Sequence, residues 1–152
     1  MKTFVVICAF VFGANALTQE QYGEIMKKVS VVGNGCVQKE NATPEDMAQL
    51  IAHEIPPSTH TAKCILACFY EHYKMMKPDG TFDKQAAIDA FHEIKAMDAD
   101  LYGKILQIID TCEEQKKITD DRCETASLMA TCVKNQAEAL GVTKEAFLVS
   151  ES

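Results

Sequence analysis

From Thr18 onward the apolar residues recur every three or four positions, and no segment alternates with the period of two expected of a half-buried strand. The pattern predicts helices throughout. The first starts at Thr18, whose hydroxyl can cap it together with Gln21 three residues later. It lays Tyr22, Ile25, Met26, Val29, Val32 and Cys36 along one side, and Gly33 and Gly35 are expected to end it. Thr43-Pro44-Glu45-Asp46 predicts the start of the second, with a capping threonine, proline at the first helical position and a carboxylate to close the box. Met47, Leu50 and Ile51 face inward, and Pro56-Pro57 stops it. The third opens at Ser58 or Thr59 and runs to about Met76, before the turn Lys77-Pro78-Asp79-Gly80.

Beyond that turn Phe91, Ile94, Met97, Leu101, Ile105, Ile108 and Cys112 form one continuous stripe. Asp98 is a capping residue within it, so two helices that break near 98 are expected. Lys116 and Lys117 complement the dipole at the end of the second of these. The last helix starts at Asp120 or Asp121 and ends at Gly141, a residue suited to the left-handed position after a helix. The result is six helices and a tail over 142–152 with an apolar knot at Phe147, Leu148 and Val149. No internal repeat and no Gly/Ser-rich linker interrupts them.

The first sixteen residues do not follow this pattern. Lys2 precedes the apolar run "FVVICAFVFG" (4–13), and Ala14-Asn15-Ala16 supplies a small-x-small cleavage site. These features predict a secretory signal peptide over 1–16, too short for a membrane span. Its removal takes Cys8 and leaves residues 17–152 as one domain, expected to be soluble and extracellular. The formal net charge of the chain is −7 and it contains no basic run, which argues against nucleic acid and against stable membrane insertion.

Cys36, Cys64, Cys68, Cys112, Cys123 and Cys132 remain, and an even number in a secreted chain predicts three disulfides. Cys64 and Cys68 share a helical face but stand about 6 Å apart between β-carbons, too far for a bond. Cys123 and Cys132 lie about 13–14 Å apart along one helix. Both pairs must therefore bond elsewhere, and most of the fifteen possible connectivities stay open. No second cysteine pair or finger-spaced histidine suggests a metal site, and no cofactor is expected. No Gly-x-Ser-x-Gly, His-Glu-x-x-His or phosphate-loop motif points to an enzyme.

The cysteine gaps are x27, x3, x43, x10 and x8, and "DGTFD" (79–83) precedes the fourth helix. This arrangement resembles the six-cysteine insect odorant-binding proteins, the pheromone- and general-odorant-binding family. The resemblance covers essentially all of residues 17–152. The x43 gap is long for the family and suggests about a turn of extra helix around 95–101. The resemblance implies an all-α fold of six helices stapled by three interlocked disulfides around a hydrophobic cavity, with the pairs Cys36–Cys68, Cys64–Cys123 and Cys112–Cys132. It also implies a carrier of small hydrophobic volatiles such as alcohols, aldehydes or esters, acting in sensillar lymph and delivering to olfactory receptors. A homodimer is compatible with it. The rival readings are a carrier of the same fold in haemolymph, saliva or reproductive fluid, and a saposin-like lipid-interacting protein, which the cysteine gaps and the acidic charge disfavour.

On the third helix Ala62, Ile65, Leu66, Phe69, Tyr70, Tyr73 and Met76 form one stripe, with Cys64 and Cys68 roughly 140° away. Such a stripe is ordinary core by default. The resemblance turns part of it into cavity wall: Met26, Val29 and Val32 from the first helix, and Leu66, Phe69, Tyr70, Tyr73 and Met76 from the third. Phe91, Ile94, Ile105 and Ile109 come from the middle, Leu128 and Val133 from the last helix, and Phe147 and Leu148 from a tail that covers the opening. The Tyr70 and Tyr73 hydroxyls are candidates to orient a ligand. Of His53, His60, His72 and His92, His72 lies between the apolar and cysteine sides of its helix. It is expected to be partly buried and to act as a pH switch. Asn41-Ala42-Thr43 is a glycosylation sequon expected to be unoccupied, because Thr43 is the helix cap and Pro44 follows.

Overall fold

The computed structural model describes residues 17–142, so the signal peptide expected over 1–16 and the tail residues Phe147 and Leu148 lie outside the described residues. Within that span the chain forms seven α-helices: α1 Gln19–Lys39, α2 Pro44–Ile51, α3 His60–His72, α4 Lys84–Ala90, α5 His92–Met97, α6 Ala99–Glu114 and α7 Arg122–Ala139. The only extended pairing among the described residues is the single antiparallel bridge Met76–Phe82.

Short side chains start most of these helices. Thr18 and Gln21 form a reciprocal capping box at α1, and Thr43 and Asp46 form another at α2. Thr59, Asp83, Asp98 and Asp121 accept from the first-turn amides of α3, α4, α6 and α7. Each satisfies a donor that the helix itself cannot. Asp46 also joins two elements: its Oδ1 accepts from the Thr59 hydroxyl at 2.6 Å and its Oδ2 from the Thr43 amide at 2.9 Å. These bonds hold the carboxyl below its ordinary pKa, the Thr59 bond foremost.

Three helix ends differ from expectation. α1 does not stop at Gly33 or Gly35 but continues to Lys39. Gly33 has a packing role inside it, since a β-carbon there would meet the Met47 methyl at 2.9 Å. The stop comes at Glu40, followed by Asn41 in the left-handed region at φ 53. α2 ends at Ile51, with His53 at φ 58, before the prolines are reached. α3 ends at His72, not near Met76, with Lys74 at φ 58. An additional break falls at Phe91, which is both the last cap of α4 and the first of α5, with no side-chain hydrogen bond. The apolar stripe runs through that break, so periodicity merged two short helices and predicted six where seven form.

α3 packs most extensively on α7. In these two helices Ala62, Ala67, Thr125 and Ala126 are wholly inaccessible and Ser127 nearly so, and Ala67 and Ala126 pack together with the Cys64–Cys123 bridge. Small side chains let the two backbones approach closely. The cysteines join Cys36 to Cys68, Cys64 to Cys123 and Cys112 to Cys132, with S–S distances of 2.11, 2.07 and 2.13 Å. They tie α1 to α3, α3 to α7 and α6 to α7. The buried apolar residues fall into separate clusters: one around Leu17, Ile94, Leu101, Ile105 and Val142, one around the Cys64–Cys123 bridge with Ala67, Met76 and Ala126, and one around the Cys36–Cys68 bridge with Ile65.

Candidate ligand-binding site

α3 presents two different surfaces. Cys64, Ile65, Ala67 and Cys68 are buried against α1 and α7, whereas Leu66, Phe69, Tyr70 and Tyr73 keep accessible surface. That distinction separates packing from candidate wall: a residue that lines a recess must retain surface, and one that fills core retains almost none.

Tyr70 makes the distinction concrete. Its side chain is partly accessible, yet protein encloses it so fully that burial pushes its phenol above the ordinary pKa. Dense surrounding protein with residual surface is the condition of a side chain at the wall of a recess. Leu66, Tyr70 and Phe82 pack on the cluster that contains Met76 and the Cys64–Cys123 bridge. The Tyr70 and Phe82 rings meet edge to face at 6.4 Å, and Phe69 and Tyr73 lie 5.1 Å apart between centroids. Among the described residues no group hydrogen-bonds the Tyr70 hydroxyl. An apolar surround with one unpaired hydroxyl can hold a small hydrophobic molecule and orient it through a single polar atom.

Not every residue expected at the wall is there. Met26 is 40 % exposed and stands outside any enclosed surface, because α1 turns that position away from its neighbours. Met76, Ile94 and Ile105 are 2 %, 8 % and 9 % exposed and belong to packed clusters. Phe91 and Ile109 keep surface but pack against the Ile94–Leu101–Ile105 cluster, apart from the Tyr70 group. Val29, Leu128 and Val133 are half-buried, and Val32 packs beside the Cys36–Cys68 bridge. His72 is exposed, contrary to expectation. It sits in the last turn of α3, where the chain is already leaving the protein, with its ring edge-on to Tyr73 at 5.0 Å.

Phe82 was not predicted. It reaches Tyr70 because the turn after α3 folds back, with Lys77 N–H donating to Thr81 O at 2.8 Å and Asp83 N–H to Met75 O at 2.9 Å. The "DGTFD" turn was the available signal, but its return path is not a periodic feature.

Two open grooves lie elsewhere, on the outer side of α1 and the end of α3. One, of ≈ 420 Å³, is lined by Lys27, Lys28, Val31, Val32, His72 and Tyr73. The other, of ≈ 750 Å³, extends past the Cys36–Cys68 bridge to the turn after α3. His60, Cys64 and Cys123 form a compact group of potential metal ligands, but the two sulfurs are joined to each other and offer no thiolate. His60 instead holds Asp121 at 2.7 Å through Nε2 and lowers the Asp121 pKa.

Residues 18–136 match the PBP/GOBP family, and the chain belongs to that family. It is similar to general odorant-binding protein 19d of Drosophila melanogaster, with 28 % identity over 114 residues, 75 % of each chain. Its structure is similar to odorant-binding protein dmelOBP28a of Drosophila melanogaster at a TM-score of 0.66 and 26 % identity, covering 79 % of this chain and 98 % of that one. A further likeness, in fold alone, is to the fatty acid binding protein OBP56a from the oral disk of the blowfly Phormia regina. There the TM-score is 0.58 and the identity 23 %, covering 76 % of this chain and 94 % of that one. The all-α, disulfide-stapled architecture is thus that of the odorant-binding proteins.

Proposed function

We propose that this protein is a secreted carrier that encloses a small hydrophobic molecule in the interior space beside Tyr70 and moves it through aqueous fluid. The observation that carries the reading is the group around Tyr70: a partly accessible phenol packed with Leu66 and Phe82 on an apolar cluster and without a hydrogen-bond partner among the described residues. Membership of the family supports it. Leu66, Phe69 and Phe82 supply the apolar surround, and the Tyr70 hydroxyl pairs with the one polar group of an alcohol, aldehyde or ester. Residues 1–16 direct export and 17–152 form the ligand-binding domain. A covering role for the tail that carries Phe147 and Leu148 belongs to the same reading and is tested by truncation. In this reading, delivery to an olfactory receptor is the final step.

Displacement of a fluorescent hydrophobic probe by a panel of volatiles tests this reading. Alcohols, aldehydes or esters are expected to displace the probe, and Tyr70→Phe to weaken those that hydrogen-bond. A chain that binds no probe, or from which no volatile displaces it, overturns the carrier reading. Deleting residues 143–152 is expected to raise the ligand off-rate. Unchanged release would remove the tail from the account.

A further inference from the structure

The sequence contains no basic run, and the chain carries a net charge of −7. The fold nevertheless gathers Lys39, Lys74 and Lys77 around the groove of ≈ 750 Å³. Its floor is apolar: Val31, Val32, Met76 and the Cys36–Cys68 bridge. Val31 is 69 % exposed and lines both this groove and the adjoining one.

Two carboxylates share the groove with these lysines. Glu71 lies 3.4 Å from Arg122 and 3.9 Å from Lys39. Asp83 accepts from the Ala86 amide at 3.0 Å as the cap of α4. His72 completes the lining. In the adjoining groove Lys28 pairs with Glu93 at 2.8 Å, and Lys27 also lines the wall. With three lysines against Glu71 and Asp83, the lining of the larger groove is cationic on balance in a chain that is otherwise acidic.

Lys74 adds a second observation. It occupies the left-handed position after α3 at φ 58, where glycine is the unstrained choice. A lysine there keeps a strained backbone and places an ammonium group at the rim. Asn41 and His53 take the same conformation after α1 and α2, but of the three only Lys74 lines the groove.

We infer that this groove is a second ligand site, outside the interior space, for a single-chain amphiphile with an anionic head, a carboxylate or a phosphate. The alkyl chain lies on Val31 and Val32, and the head sits among Lys39, Lys74 and Lys77. A volume of ≈ 750 Å³ falls within the range of about 300–1,000 Å³ typical of small-molecule sites. This inference goes beyond the carrier reading, because that reading places a neutral ligand beside Tyr70.

Titration calorimetry of the full chain with decanoate, decyl phosphate and decanol tests it. At least one of the two anions is expected to bind a site that survives saturation with decanol, and the tighter of them identifies the head group. Raising salt from about 20 mM to about 500 mM is expected to weaken that binding about tenfold, since the rim is exposed and screened. Lys74→Gly removes the charge and relieves the backbone, so the melting temperature should hold or rise while anion affinity falls about three- to tenfold. Decanol affinity should not move. Val31→Asp, on the exposed floor, should abolish anion binding and leave the fold intact. The inference is overturned if both anions compete with decanol one for one, or if Lys74→Gly leaves anion affinity unchanged. The same holds if the groove takes only an acidic peptide or a second copy of the chain.

Discussion

The α3–α7 pair and the α4–α5 pair are built in opposite ways. α3 and α7 run 13 and 18 residues, and each begins at a side-chain cap. They bury Ala62, Ala67, Thr125 and Ala126 completely and are joined by Cys64–Cys123. His60 and Asp121 link their first turns at 2.7 Å. α4 and α5 run only seven and six residues. α4 buries no residue, α5 buries Ile94 alone, and α5 lacks a side-chain cap. No disulfide reaches either. Helices this short are marginal without tertiary support. The contrast teaches that α3 holds its apolar side in place through a rigid, covalent partner, while α4 and α5, held by packing alone, are where local opening costs least.

The largest expected effect comes from removing the covalent link in the rigid pair. Replacing both Cys64 and Cys123 by Ser releases a loop with a sequence separation of 59 and should cost about 4 kcal/mol. Replacing Cys112 and Cys132, with a separation of 20, should cost about 3 kcal/mol. Denaturant titration measures both, and a reversed order would break the contrast. Next comes Ala67→Leu, which forces extra volume into the α3–α7 contact and should cost about 1–3 kcal/mol. Ala90→Gly in α4 should cost no more than about 1 kcal/mol, the propensity difference on an exposed helix. Amide hydrogen exchange sharpens the same point: α4 and α5 should exchange through local opening well before α3 and α7.

A smaller effect concerns Asp46, which ties α2 to the start of α3. Its folded pKa is lowered, first by the Thr59 hydrogen bond and then by the Thr43 amide. Its contribution to stability is therefore fully present above the unfolded value of about 3.9 and is lost as pH falls through the lower folded value. Asp46→Asn should cost about 1 kcal/mol at neutral pH. The gap to the parent should close on acidification, as read from melts across that pH range. Persistence of the gap at the lowest pH would assign the loss to packing. The smallest stability change belongs to Tyr70→Phe, within about 0.5 kcal/mol, because the hydroxyl has no partner to lose among the described residues. Its effect should appear in affinity: up to about tenfold weaker for an alcohol and none for an alkane.

Much of this was legible along the chain. Thr18, Thr43, Thr59, Asp98 and Asp121 each start a helix, as their positions before apolar periods predict. The two-sided character of α3 also followed from the wheel, although Ile65 went to the disulfide side and packs with Cys36 and Cys68. The break at Phe91 was hidden because the apolar stripe continues through it without a capping side chain. Gly33 misled for a related reason: its role is to admit Met47, and nothing in the local sequence names that neighbour.

By itself the sequence determined the helical character of the chain, the capping residues at five helix starts, the impossibility of pairing Cys64 with Cys68 or Cys123 with Cys132, and the apolar side that Leu66, Phe69 and Tyr70 share. These are properties of backbone geometry over a few residues, so a short window contains the information. Only the tertiary structure decided that Phe82 returns to Tyr70, that His72 and Met26 face outward, and that Lys39, Lys74 and Lys77 meet around one groove. Those relations join residues from separate helices and turns. They depend on how α1, α3 and the turn after α3 are brought together, a long-range arrangement that no local periodicity encodes.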